Sequence, residues 1–203
     1  MQVAIFSEGD ADEAALRVLA DSLLGIQTTP TTVPYRARGW PAVADQLPVV
    51  IRSTYFRTDA VGLVVVVDGN GSSLDTASPR NRLRLLREIV EQCAPSGRTD
   101  RASLKIAVGV AYPCIEAWWL ASRHPGLTES AWEKRTEPTN LPIRKQELKR
   151  LLYGTEYPST KLSTEKMREA AAHAAANIDQ LSPRFPFGFS GMVAELRAWR
   201  LPT

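Results

Sequence analysis

Residues Gly62 to Asn70 read GLVVVVDGN, in which five unbroken apolar residues, four of them valine, run into Asp68. A β-branched run without polar alternation suits a strand buried on both faces, as central strands of parallel sheets are. Parallel strands need long crossovers, so the flanking segments have to supply helices. QVAIF, from Gln2 to Phe6, reads as a short buried strand. The helix that follows starts at a capping box of Asp10 and Glu13, repeats apolar residues at helical spacing and stops at Gly25. TTVPYRAR reads as a second, edge strand because Pro34 interrupts it. PAVADQLPVVIRSTYF reads as a helix broken or kinked near Pro48.

Beyond the valine run, Ser78 and Pro79 mark a helix start, and Leu83, Leu86, Ile89 and Val90 fall on one side of that helix. SLKIAVGVA gives a fourth strand, and Pro113 opens a helix through PCIEAWWLAS. From about Thr128 the chain reads as helical with Pro and Gly interruptions. The alternation predicts an α/β fold, a parallel-rich open sheet with helices on both faces, plus a helical C-terminal part. The 203 residues suffice for one domain, with residues 1–122 as its α/β core and 123–203 as a helical appendage.

Ligands of such sheets bind outside the carboxyl ends of the strands, which gives Asp68 its meaning. Glu8 follows the first strand and Glu116 follows the fourth, so three carboxylates from three segments are expected to converge there. Such a set suits a hard divalent cation, Mg²⁺ or Mn²⁺, which takes carboxylates, water and substrate phosphate. Each residue also has a plainer reading. Asp68 could serve as a strand-ending turn residue, Glu8 as a solvated loop acid, and Glu116 as a negative charge complementing a helix N-terminus. Asp10 reads as a cap rather than a ligand, and Trp118 and Trp119 as core packing.

Other chemistries find little support. Only His124 and His173 are available for an imidazole centre, and Cys93 and Cys114 stand without a CxxC or a His pair. Both cysteines read as buried small hydrophobes. No GxxxxGK[ST] or GxGxxG loop occurs, which disfavours a nucleotide-cradling phosphotransferase. The N-terminus does not resemble a secretory signal and no apolar run approaches a membrane span, so the expectation is a cytoplasmic protein without a membrane partner.

The net charge of +3 is carried by the C-terminal part, where IRKQELKR gathers Arg144, Lys145, Lys149 and Arg150. Arg144, Lys145 and Lys149 read as a phosphate-facing surface, or as the solvated face of an amphipathic helix. Arg80, Arg84 and Arg87 share a helix face at i, i+4, i+7 and would meet a nucleic-acid backbone, although Arg84 with Glu88 and Arg87 with Glu91 also form helix pairs.

These motifs resemble the TOPRIM fold of the overcoming-lysogenization-defect nucleases, topoisomerases and bacterial primases. Glu8 with Gly9 looks like the TOPRIM glutamate, and VVVVDGN looks like its Asp-x-Asp motif. AYPCIEAWWLAS is similar to an EAWLLA segment of small bacterial TOPRIM-like proteins that accompany ABC- or SMC-type ATPases in phage defence, and YPSTKL resembles a lysine-bearing segment of that group. The similarity covers roughly Val3 to Ser122.

The resemblance implies a Mg²⁺-dependent nuclease acting on nucleic acid, with DNA the favoured substrate, working with an ATPase partner. Glu8 would be general acid/base or metal ligand, Asp68 a Mg²⁺ ligand, Glu116 a ligand to a second metal, and Lys161 the stabiliser of the scissile phosphate. Where the family has a second aspartate this chain has Asn70, whose carbonyl can still coordinate but removes a negative charge. Asp75 reads as a turn residue. The chain offers no strand-passage region, zinc ribbon or helicase-binding region, which disfavours topoisomerase and primase activities. The alternative is a non-catalytic TOPRIM-like subunit that engages an ATPase.

Overall fold

Four parallel strands in the order β2-β1-β3-β4 form the centre of the molecule: β1 (Gln2–Phe6), β2 (Thr29–Thr31), β3 (Gly62–Asp68) and β4 (Lys105–Ala111). This is a computed structural model, and it describes residues 1–31, 37–69, 79–93, 103–135 and 141–200. Strand faces alternate strictly. Val3, Ile5, Val64 and Val66 enter one core, and Ala4, Phe6, Leu63, Val65 and Val67 enter the other. Both cores are dry, and that explains the uninterrupted valine run: neither face of β3 meets water.

Helices α2 (Trp40–Arg57) and α3 (Pro79–Cys93) cover one face. The other is covered by α1 (Asp10–Leu24), by α4 (Ile115–Ala121), and by the helices after residue 128. These are α5 (Glu129–Arg135), α6 (Leu141–Tyr153), α7 (Thr160–Ala176), the single turn α8 (Ile178–Leu181) and α9 (Phe189–Arg197). The helices beyond Thr128 thus supply much of one layer: Met167, Ala170 and Ala171 of α7 and Met192 and Val193 of α9 lie in the same core as β1 and β3. Trp118 and Trp119 are fully buried there, edge-on to each other and to Phe189. No helix among the described residues is long and apolar enough to cross a membrane.

Several local expectations shift. The N-cap of α1 is Gly9, with no side-chain cap bond, so Asp10 and Glu13 sit inside the first turn rather than forming a capping box. Gly25 does end α1, in the left-handed conformation at φ 69°. The edge strand begins at Thr29, earlier than TTVPYRAR, and most of that segment lies outside the described residues. Pro30 is tolerated because β2 is an edge. Helix α2 runs unbroken from Trp40 to Arg57 with Pro48 inside it, since its buried face from Val43 to Tyr55 holds both halves against the sheet. Helix α4 starts at Ile115 with Cys114 as N-cap, two residues later than Pro113. Ser78 and Asp75 lie outside the described residues.

One glycine is fixed by close approach. A Cβ on Gly188 would sit 2.0 Å from the Val110 carbonyl oxygen of β4, a clash with backbone on both sides. Gly188→Ala should therefore force the 183–188 segment off the sheet edge and cost about 2 kcal/mol in urea unfolding.

Candidate functional site

Order β2-β1-β3-β4 places a topological switch between β1 and β3, whose outgoing chains leave to opposite faces of the sheet, and a crevice forms outside their carboxyl ends. Glu8 lies two residues past β1 and Asp68 ends β3. The two meet directly: the Asp68 backbone N–H donates to Glu8 Oε1 at 2.8 Å. Asp68 is itself clamped from three sides. Its Oδ1 accepts from the Ile115 N–H at the start of α4 (3.0 Å), its Oδ2 faces Lys145 Nζ of α6 (3.2 Å), and its carbonyl takes Arg82 Nη1 of α3 (2.8 Å). Gly69 follows with its N–H on the Ala111 carbonyl (2.6 Å), and a Cβ there would press on Ala111 and Tyr112, so the chain turns close over the end of β4.

Glu116, in the first turn of α4, is buried, and its Oε1 accepts from the Tyr153 hydroxyl at 3.2 Å. Asp12, in the first turn of α1, completes a set of four carboxylates that repel one another. Burial pushes the Asp68 carboxyl up to about 7, with Glu116 and Glu8 adding to the rise and Lys145 and the Ile115 N–H opposing it. Burial also raises Glu8, against the pull of the Asp68 N–H, Lys145 and Arg82. Asp12 is held well above the carboxylate range, first by burial and then by Asp68, Glu116 and Glu8.

Burial works against the Lys145 ammonium, but Asp68, Cys114 and Glu116 together hold its pKa above the ordinary value. Burial and the Glu116 and Asp68 charges push the Cys114 thiol up, so it is a protonated donor to Glu116 rather than a nucleophile. Tyr153 is raised by burial and by Glu116, and its phenol stays protonated. Tyr153→Phe leaves a buried carboxylate one donor short and should cost about 1–2 kcal/mol, read as a lowered urea midpoint.

The structure therefore brings Glu8, Asp68 and Glu116 to one crevice and adds residues that the sequence reading did not single out. Asp12 continues the apolar stripe of Leu16, Leu19 and Leu23 at helical spacing, and Arg82 stands in the stripe of Leu86 and Ile89. A charged residue on a core-facing stripe was the available signal for both. Arg82 is buried, with its guanidinium 4.7 Å from the centre of the Trp40 ring. Lys145 and Tyr153 are two helical turns apart on α6, with Lys149 midway on the same face and half-buried.

The remaining residues lie elsewhere. The lysine on Asp68 is Lys145, whereas Lys161 is exposed at the start of α7. Arg84 pairs with Glu88 at 2.6 Å in solvent, and Arg87 reaches Glu195 of α9 at 3.1 Å in place of Glu91. Arg80 is exposed, its guanidinium 5.4 Å from the centre of the Phe187 ring. Asn70 and the Arg144 side chain lie outside the described residues. His124 is exposed and His173 bonds Ser122 Oγ. Cys114 is buried as expected, while Cys93 is half-buried.

Among the described residues, no three His, Cys, Asp or Glu side chains stand close enough together to hold a metal ion. Mg²⁺ asks for less, since one or two carboxylates with water and a substrate phosphate complete its shell. The donor set fits that ion in being all oxygen, and Glu8, Asp12 and Asp68 are carboxyls whose charged form is disfavoured chiefly by burial, a cost that a bound cation would offset. Comparisons of the chain with protein-family models, with curated proteins and with solved structures give no match.

Proposed function

We propose that the chain is a Mg²⁺-dependent nucleic-acid phosphodiesterase of TOPRIM-like type. The observation that carries this reading is the meeting of Glu8 and Asp68 at the switch point of a parallel sheet, with both carboxyls pushed up by burial. Glu8 and Asp68 would hold Mg²⁺ or Mn²⁺, with Glu116 behind them. A bound divalent cation supplies polarisation of a phosphoryl oxygen and an acidified water.

The chain's own groups supply the rest. Glu8, whose Oε1 accepts from the Asp68 N–H, would be the general acid/base that the TOPRIM resemblance implies. The Lys145 ammonium, 3.2 Å from Asp68 Oδ2, offsets charge gathering on a phosphoryl oxygen. Arg82 is too buried to touch a substrate and fixes the Asp68 carbonyl, so it is a positioning residue. Lys161, assigned to the scissile phosphate by the TOPRIM resemblance, remains available from the start of α7. The ABC- or SMC-type ATPase partner and the phage-defence role rest on that resemblance alone.

The test is calorimetric titration of the intact protein, Glu8→Ala and Asp68→Ala with Mg²⁺ and Mn²⁺, beside incubation of each with supercoiled plasmid and single strands. Metal binding and plasmid nicking lost together in both variants is the expected result. No metal binding by the intact protein at millimolar concentration would overturn it.

The Lys145–Asp68 ion pair favours a second reading, in which a lysine serves as the resident cation and the chain is a non-catalytic TOPRIM-like subunit. That reading predicts intact stability without metal and no nicking under any condition.

A further inference from the structure

A cleft of about 530 Å³ is lined in part by Phe187, whose neighbour Gly188 packs on Val110 near the carboxyl end of β4. Its described walls come from three segments that are remote in sequence. The start of α3 gives Arg80, Thr128 and the first turn of α5 give a hydroxyl, the Glu129 carboxyl and the Ser130 hydroxyl, and the segment over β4 gives Arg184, Pro186 and Phe187.

The cleft is joined to the proposed active site by covalent and packed neighbours. Arg80 is two residues from Arg82, which holds the Asp68 carbonyl. Gly188 lies on the Val110 carbonyl, next to Ala111, the register partner of Asp68. The walls are braced: Arg184 Nη1 donates to the Ala121 carbonyl (2.8 Å), and the Phe187 N–H donates to Glu129 Oε2 (2.8 Å), which is buried.

The lining combines two chemistries. Arg80 and Arg184 present guanidiniums, which suit the oxygens of a phosphate, and Thr128 and Ser130 add hydroxyls. Phe187 and Pro186 present flat apolar surface, which suits the face of a base, and Arg80 already lies over the Phe187 ring in the manner of a stacking partner. The volume lies within the range of small-ligand sites and suits one nucleotide unit.

We infer that this cleft binds one nucleotide of single-stranded nucleic acid next to the scissile position, its base on Phe187 and its phosphate between Arg80 and Arg184. The inference rests on the phosphodiesterase reading above and names the substrate form that the site takes: an unpaired strand, since a base within a duplex offers no free face.

The test measures anisotropy of a fluorescein-labelled single-stranded DNA 12-mer in EDTA, so that no metal is required for binding. Arg80→Ala, whose side chain is exposed, and Phe187→Leu, which keeps apolar volume, are each expected to weaken binding about tenfold. Arg168→Ala, on the exposed side of α7 and also a loss of one charge, should stay within twofold of the intact protein. Thymidine monophosphate should displace the strand at lower concentration than inorganic phosphate.

Equal affinity of Arg80→Ala and the intact protein would overturn the inference. So would an equal loss in Arg168→Ala, or equal displacement by phosphate and nucleotide, because each would leave only a diffuse or simple anion surface. Nicking in Mg²⁺ by Glu8→Ala separates the two claims: if Glu8→Ala abolishes nicking while Arg80→Ala binds normally, the cleft fails and the phosphodiesterase stands. If Glu8→Ala still nicks, the carboxylate reading is what fails.

Discussion

Raising the pH from about 4 to about 7 should destabilise the metal-free protein by an amount on the order of 4 kcal/mol, and Asp68→Asn should remove most of that loss. The sign follows from where the proton sits. The Asp68 carboxyl has an ordinary value of 3.8 and is raised to about 7 in the folded chain, so between those values the folded state holds a proton that the unfolded state releases. Stability is therefore full below the unfolded value and falls as the pH climbs toward the folded one. Glu8 and Asp12 are raised as well and add loss of the same sign. Lys145 is raised from 10.5, so its contribution is lost only in more alkaline solution, outside this window.

Asn keeps an oxygen for the Ile115 N–H and carries no charge to bury. Urea midpoints at pH 5 and pH 8 check the prediction. The intact protein should unfold more easily at pH 8, and Asp68→Asn should show a much smaller loss across the range, left by Glu8 and Asp12, and be more stable than the intact protein at pH 8. An intact protein that is more stable at pH 8 would sink the account in which burying the Asp68 charge costs stability. A residue that weakens the fold at neutral pH and is nonetheless charge-bearing is the kind of group that functional sites retain.

Much of this site was legible in the sequence, for identifiable physical reasons. A valine run announces a strand buried on both faces, and a carboxylate at its carboxyl end has few structural uses, so Asp68 could be placed before any coordinates. Glu8 and Glu116 followed from the same rule of strand ends. Their surroundings were not legible, because which residue faces which depends on packing between segments far apart in sequence. Lys145 read as part of a basic surface run, and only the docking of α6 against α4 turns it toward Asp68. Arg80, Arg84 and Arg87 read as one face meeting a nucleic-acid backbone, a face that does not include Arg82, yet Arg82 is the buried arginine while Arg84 stays in solvent. The stripe containing Leu86 held that information, since a residue four positions earlier shares its face. Pro48 reads as a break or kink in its helix, and no break occurs: the local penalty of a helical proline is real, but burial of α2 from Val43 to Tyr55 carries the helix through it.

Lys145→Met is expected to cost about 2–3 kcal/mol at pH 8 and distinctly less at pH 5. Methionine keeps the length and apolar volume of the lysine stem, so the change isolates the charge. Both partners are largely buried, with 23% and 19% of their side chains exposed, so the Asp68 charge cannot be taken over by water when the ammonium is removed. Lys145 is the main influence pulling the Asp68 carboxyl down, and its loss should send that carboxyl further up. The proton taken up at pH 5 already neutralises the buried Asp68 carboxylate, which is why the penalty shrinks there.

The double variant Asp68→Asn with Lys145→Met supplies the decisive comparison. If the lysine acts mainly as counter-ion to Asp68, the double variant should recover most of the stability that Lys145→Met loses at pH 8, with a coupling energy of at least 1 kcal/mol. Additive effects, with a coupling energy near zero, would instead mean that Lys145 serves Glu116, or the fold at large, and not Asp68. The same proteins also separate the two functional readings. A lysine that reaches phosphate lowers the salt dependence of oligonucleotide binding by about one unit of slope when it is removed, and a lysine held on Asp68 as resident cation leaves that slope unchanged.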